Sequence, residues 1–165
     1  MNKNMIGRVK AKHGTFYFCN YDEFIGLAIR EYGEYSELEL KTILKFIKEG
    51  DTVFDIGANI GCFSVPLAKK VGSTGKIFAC EPQPFINKLL RKNIQANNLN
   101  NIKVINEGLG AKREILNLDD FDYSTVGNFG GISFSGRNNQ KYMKKKTNKK
   151  HSIKFTNLDE FLDID

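Results

Sequence analysis

The chain has 165 residues, 41% of them hydrophobic and 27% charged, which suits one globular domain with a sizeable core and excludes a disordered or fibrous chain. The formal net charge is +6, but six lysines lie between positions 141 and 150; set them aside and 19 basic residues face 19 acidic ones. The basicity thus reads as one local segment, which argues against a general nucleic-acid binder.

No apolar run is long enough to span a bilayer, and no hydrophobic region follows the first charges. With neither a signal peptide nor a transmembrane segment, the expected location is the cytoplasm. Cys19, Cys62 and Cys80 are odd in number and form no Cys-x-x-Cys pair, and His13 and His151 lie far apart. Neither a disulfide framework nor a metal site is expected.

In chain order, the β-rich stretch around Thr15–Phe18, with His13-Gly14 as a turn, predicts a hairpin, and residues 1–35 are taken as an N-terminal hairpin extension. Ser36 and Glu39 have capping-box spacing, and Leu40, Ile43, Leu44 and Ile47 mark one helix face that Gly50 would end. Thr52–Ile56 reads as a buried strand, Cys62–Lys70 as a helix whose regular part begins near Pro66, and Lys76–Cys80 as a second buried strand. Pro84 opens a helix that Asn97-Asn98 closes, and Ile102–Ile105 is a third strand. Alternating strands and helices predict right-handed βαβ units on a parallel sheet, an α/β fold. Glu114–Leu118 and Ile153–Thr156 are further β-like pieces, Leu158–Leu162 starts a helix, and residues 119–150 read as a long loop rich in Gly, Asn and Lys.

The chemistry concentrates after the first strand of the βαβ unit. Gly57, Asn59 and Gly61 permit a tight turn into the next helix, because glycine lets a ligand approach the backbone and asparagine tolerates the left-handed region. Ligands of open α/β sheets sit at such strand ends. The string Gly57-Ala58-Asn59-Ile60-Gly61 misses dinucleotide spacing, and Asp55 would repel a pyrophosphate, so a NAD enzyme is the weaker reading. A carboxylate there suits a ligand bearing an ammonium or sulfonium group. Glu81, at the end of the next strand, can accept hydrogen bonds from ribose hydroxyls. Together these residues point to S-adenosyl-L-methionine as the cofactor.

From Gly50-Asp51-Thr52-Val53-Phe54-Asp55-Ile56-Gly57-Ala58-Asn59-Ile60-Gly61, through Glu81-Pro82-Gln83-Pro84 and Val104–Gly110, to Asn128–Gly131 and Thr156–Asp159, the sequence resembles the FkbM-type S-adenosylmethionine-dependent methyltransferases. The resemblance implies a Rossmann-like class I methyltransferase fold over residues 36–165 and O-methylation of a small molecule or sugar. Carried over by position, Asp55, Gly57, Asn59 and Gly61 would surround the methionine part and Glu81 the ribose. Pro82 or Gln83, with Glu107 and Gly108, would line the adenine, and Asn128–Gly131 would lie near the ligand or acceptor. The resemblance also implies later strands beyond Asp165, so the domain is expected to be partial, C-terminally truncated, with an exposed sheet edge that a partner chain could cover. No residue is assigned as catalytic. Two rival readings are an inactive cofactor-binding remnant and a nucleic-acid-binding module using Lys141, Lys144, Lys145, Lys146, Lys149 and Lys150, with a solvated lysine loop the plainer account of that run. A nucleic-acid partner is not expected.

Overall fold

The computed structural model describes residues 5–132 and 146–159. Strands β1 (Ile6–Ala11) and β2 (Gly14–Cys19) form the expected hairpin, paired antiparallel with Arg8 opposite Tyr17. Phe16 and Phe18 point inward and are buried, as strand alternation requires. Helix α1 (Ile25–Tyr32) follows, where the sequence reading had placed no element. Its buried Ile25 and Ile29 sit one turn apart, and just ahead of it Asp22 accepts the Phe24 N–H at 3.0 Å, a local turn leading into the helix.

Helix α2 (Glu37–Leu44) is shorter than the sequence pattern implied. Lys45 and Phe46 donate to the carbonyls of Thr42 and Ile43, which tightens the last turn into an i→i−3 pattern and stops the helix before Gly50. Gly50 turns the chain into the sheet at φ +86° instead of capping the helix. The capping box is also absent. Ser36 itself takes φ +50°, and its hydroxyl donates to Glu39 Oε2 at 2.6 Å rather than accepting a backbone N–H.

Strands β3 (Thr52–Ile56), β4 (Lys76–Cys80) and β5 (Ile102–Ile105) form a parallel sheet in the order β3-β4-β5, with Asp55 beside Ala79 and Cys80 beside Ile105. Strands β3 and β5 are its edges among the described residues. Helices α3 (Ser64–Val71) and α4 (Pro84–Ala96) connect the strands. They bury Leu67, Val71, Leu90 and Ile94 against Ile77 and Ala79, giving one side of the sheet its core. Pro66 falls within the first turn of α3, where its missing N–H has no intrahelical partner to lose. The opposite side carries Phe54 stacked on Phe78, ring centroids 4.8 Å apart.

The second core gathers Phe16, Phe18, Ile29, Ile60, Val65, Leu89, Phe121, Tyr123 and Phe129 under the hairpin. Asn93 of α4 and Asn97, its C-cap residue one turn on, hold the hairpin as a neighbouring strand would. Asn97 accepts the Thr15 N–H and donates to the Thr15 carbonyl; Asn93 does the same for Tyr17. Residues 15 and 17 are alternate positions, so one edge of β2 is satisfied by helix side chains.

A third sheet has the order β6-β8-β7, from β6 (Gly108–Leu109), β7 (Glu114–Phe121) and β8 (Lys146–Thr156). The expected loop over 119–150 is thus cut at both ends. The β7 strand runs on to Phe121, which is anchored in the second core, and β8 begins at Lys146, with Asp119 registered opposite Lys150. Lys146, Lys149 and Lys150 belong to strand β8 rather than to a loop. Lys141, Lys144 and Lys145, and most of the helix expected from Leu158, lie outside the described residues.

Candidate cofactor site

The C-terminal ends of β3 and β4 lie side by side, and the chain leaves β3 through Gly57 (φ +81°) and Asn59 (φ +49°). The N–H groups of Gly57 and Ala58 both donate to the Cys80 carbonyl, at 2.9 and 3.0 Å, which folds the turn over the end of β4. Asn59 accepts the Ile60 N–H on its own side chain at 2.8 Å, a local bond of the kind that makes asparagine tolerant of positive φ.

Glu81 is 3% exposed, and each carboxylate oxygen accepts one backbone N–H: Oε2 from Asn59 at 3.0 Å and Oε1 from Gln83 at 2.8 Å. It therefore pins the glycine turn to the start of α4, and each oxygen keeps a further lone pair for a ligand hydroxyl. Burial pushes its carboxyl up to about 7, against the two backbone N–H bonds that favour the ionised form, with the Asp55 charge adding to the rise. Asp55 sits on the same side of the sheet, since it registers with Ala79 and side chains alternate. Its carboxylate accepts the Ser64 hydroxyl, and burial raises its pKa as well.

Two clefts flank the turn and share Gly57, Asn59 and Gly130. The first, about 190 Å³, is bordered by Glu81, Pro82, Gln83 and Gly108. The second, about 270 Å³, is bordered by Asp55, Tyr35, Glu39, Cys62 and Phe63. Each falls below the roughly 300–1,000 Å³ of ordinary small-molecule sites, and the two meet at the turn. A Cβ built on Gly57 would meet nothing within 4 Å, so the turn faces open space.

The structure thus brings seven of the nine sequence-selected residues to these clefts. Gly61 and Glu107 border neither. A Cβ on Gly61 would lie 2.8 Å from Leu90 Cδ1, so this glycine lets the turn pack against α4. Glu107 borders a separate depression with Arg113, Glu114 and Lys154. Gly130, placed near the ligand by the resemblance, does line both clefts. It is held there because Gln83 Nε2 donates to the Phe129 carbonyl at 2.9 Å, while Tyr123 donates to Gln83 Oε1 at 3.0 Å. The sequence reading missed Tyr35, Glu39, Cys62 and Phe63. Glu39 had been read as a helix cap, and the other three carried no spacing signal.

Burial pushes the Cys19 and Cys80 thiols up to about 11 and raises Cys62 further, so all three stay protonated at neutral pH. No group of three or more His, Cys, Asp or Glu among the described residues could hold a metal ion, and no helix among them is long and apolar enough to cross a membrane.

Comparison with known proteins overturns two expectations. A family model, the TRM5/TYW2 methyltransferase domain, matches residues 27–128. The FkbM assignment is therefore corrected: strand-end carboxylates and a glycine turn, which carried it, do not distinguish families that share a cofactor. The chain is 42% identical over 77 residues to the tRNA (guanine(37)-N(1))-methyltransferase Trm5b of Pyrococcus abyssi, covering 47% of this chain and 22% of that one. It is 34% identical over 80 residues to a cobalt-precorrin-6B C(15)-methyltransferase (decarboxylating) of Sulfolobus acidocaldarius, covering 47% of this chain and 40% of that one. The chain thus spans less than half the length of these relatives. The crystal structure of Pyrococcus abyssi Trm5b aligns with a TM-score of 0.49 at 26% identity, over 63% of this chain and 28% of that one. The expectation of a sugar or small-molecule acceptor and no nucleic-acid partner falls with the FkbM assignment, because the archaeal Trm5b acts on tRNA. The α/β fold is the Rossmann-like class I methyltransferase fold, and its cofactor is S-adenosyl-L-methionine, both as the sequence implied. The match covers well over half of the chain, which belongs to the TRM5/TYW2 methyltransferase domain family.

Proposed function

We propose that this chain carries the cofactor site and part of the acceptor site of an S-adenosyl-L-methionine-dependent tRNA methyltransferase that modifies a ring nitrogen of guanine. The observation that carries the reading is the pair of clefts either side of Gly57–Asn59, one bordered by Glu81 and the other by Asp55 and Glu39. Glu81, Pro82, Gln83 and Gly108 would hold the nucleoside, with Asp55 and the Gly57–Asn59 backbone on the methionine side. When bound, the cofactor supplies a methyl group already activated by a sulfonium.

What the protein adds is placement and a proton acceptor. Guanine N1 bears a hydrogen, so methylation there requires that proton to leave as the N–C bond forms. Glu39 borders the Asp55 cleft and is exposed, and its carboxylate accepts the Ser36 hydroxyl. It is the exposed carboxylate of the three, placed to take the proton and pass it to solvent, whereas Asp55 is less exposed and held by Ser64, and Glu81 is buried and held by two backbone N–H groups.

The test is methyl transfer from radiolabelled S-adenosyl-L-methionine to unmodified tRNA transcripts by the purified chain, with nucleoside analysis of the product. Label in a guanine ring nitrogen supports the reading. Tight S-adenosylhomocysteine binding with label entering a sugar hydroxyl or a small molecule, and none entering RNA, refutes it.

A further inference from the structure

We propose that the outer face of the hairpin and helix α4 is an RNA-backbone docking surface, built from Arg8, Lys10, Lys88 and Lys92 around Tyr17. This inference rests on the tRNA reading above and names where that partner lies.

The chain is neutral apart from its lysine run, yet its charges are segregated. No Asp or Glu occurs between Met5 and Tyr21, nor between Pro84 and Asn106, and these two stretches pack together. Arg8 lies opposite Tyr17 in the hairpin and Lys10 opposite Thr15, so both basic side chains leave the same face. Across from them, Lys92 places Nζ 3.8 Å from the centre of the Tyr17 ring, with the Arg8 guanidinium carbon 5.8 Å from it. Lys88 is one helical turn before Lys92 on the same side of α4. All four cations are exposed, and none has an acidic partner among the described residues. The nearby acids are already engaged: Glu34 and Glu37 take Lys12 and His13 at the hairpin turn.

Four unpaired cations on one face repel each other, and a solvated surface gains nothing from that arrangement; a polyanion relieves it. The face is also held in shape, because Asn93 and Asn97 fix the hairpin to α4 and cation–π contacts hold Lys92 and Arg8 over one ring. With a cation over it, Tyr17 is no platform for base stacking, so the surface fits phosphates and positions RNA without choosing a sequence. Its direction suits that task. Helix α4 starts beside Gln83 in the first cleft, so Lys88 and Lys92 follow about 7 and about 13 Å along the axis, leading away from the cofactor rim.

The experiment measures binding of a fluorescein-labelled, unmodified tRNA transcript by anisotropy across a salt series. It compares the wild type, the fourfold variant R8Q/K10Q/K88Q/K92Q, the two double variants R8Q/K10Q and K88Q/K92Q, and the charge-preserving variant R8K/K10R/K88R/K92R. The fourfold variant is expected to bind at least about tenfold more weakly, and the slope of log affinity on log salt to fall by about 3, since each phosphate contact contributes about 0.7–0.9. Each double variant should lose about half of that slope, which keeps the test decisive if the fourfold variant folds poorly, and the charge-preserving variant should bind like the wild type. S-adenosylhomocysteine binding should stay within about twofold throughout. A wild type that binds tRNA and double variants that bind it with unchanged affinity and slope would overturn this surface while leaving the tRNA reading intact. A wild type that ignores tRNA, or prefers poly-glutamate to it, overturns both.

Discussion

Asn93 donates a hydrogen bond to the Ile60 carbonyl at 2.8 Å, and so ties helix α4 to the turn that separates the two clefts. The same side-chain amide donates to the Tyr17 carbonyl, and its oxygen accepts the Tyr17 N–H. One fully buried side chain thus joins the hairpin, the helix and the cofactor turn.

Replacing it tests that junction. In Asn93→Leu the branched shape is kept but Tyr17 N–H, Tyr17 C=O and Ile60 C=O lose their partner. Leaving these groups unpaired should cost about 3 kcal/mol, and lower the Tm by roughly 10 °C. Because Ile60 belongs to the turn, S-adenosylhomocysteine affinity should fall as well. Calorimetry on both counts checks this; an unchanged affinity in a folded but less stable variant would confine Asn93 to the scaffold.

Glu81 makes a different prediction, about protons. Its folded pKa, about 7, lies above the ordinary carboxylate value of 4.5, so in the ligand-free protein this group favours the fold below that ordinary value and the benefit is lost as pH rises through about 7. A cationic nucleoside prefers the ionised form. S-adenosyl-L-methionine affinity should therefore rise with pH up to about 7 and level off above it, with proton release on binding seen as a buffer-dependent enthalpy. In Glu81→Gln the step should vanish, and one of the Asn59 and Gln83 N–H groups should face an amide donor instead of an acceptor. A wild-type profile flat between about pH 5.5 and 8.5 would remove Glu81 from the cofactor contacts.

How much of this was legible beforehand follows physical range. The βαβ core reads from the sequence because its signals are local: short apolar strands, Pro84 at a helix start, and Gly57 and Asn59 where positive φ is required. The Glu81 contact with the turn follows from parallel register, which that pattern implies. Helix α1 was missed because eight residues containing Gly26 give too short a period to register. The Glu39 position was misread because Ser36–Glu39 has the spacing of a cap, and only the positive φ of Ser36 reveals that its side chains bond to each other instead. The basic face escaped notice because whole-chain charge averages over segregation: Arg8 and Lys92 are far apart in sequence and meet only through the asparagine pair. The family was misjudged for the same reason in chemical form, since residues that grip a shared cofactor say little about the acceptor.

Glu39 carries the catalytic prediction. Glu39→Gln keeps the size and an acceptor for the Ser36 hydroxyl, so stability and S-adenosylhomocysteine binding should be nearly unchanged. Methyl transfer to guanine should fall by about 10²–10⁴-fold in kcat, the usual contribution of a general base. The residual rate should rise with pH as the guanine proton is lost to solvent instead. A variant with the wild-type rate would pass the role to another group or to water.

The two turn glycines separate fold from ligand. At Gly57 a Cβ meets nothing within 4 Å, and the cost of Gly57→Ala to the fold is the strain of φ +81°, about 1–2 kcal/mol. The new methyl group would stand in the space shared by both clefts, so S-adenosylhomocysteine binding should drop far more than stability does. At Gly61, which borders neither cleft, the Cβ meets Leu90 at 2.8 Å, so Gly61→Ala should lower the Tm more than Gly57→Ala does, since it adds a clash to the strain of φ +91°. Once stability is restored by cooling, its affinity should return towards the wild-type value, whereas that of Gly57→Ala should not. Paired melting curves and titrations distinguish the two, and a Gly57→Ala protein that binds normally would show that the cofactor does not cross this turn.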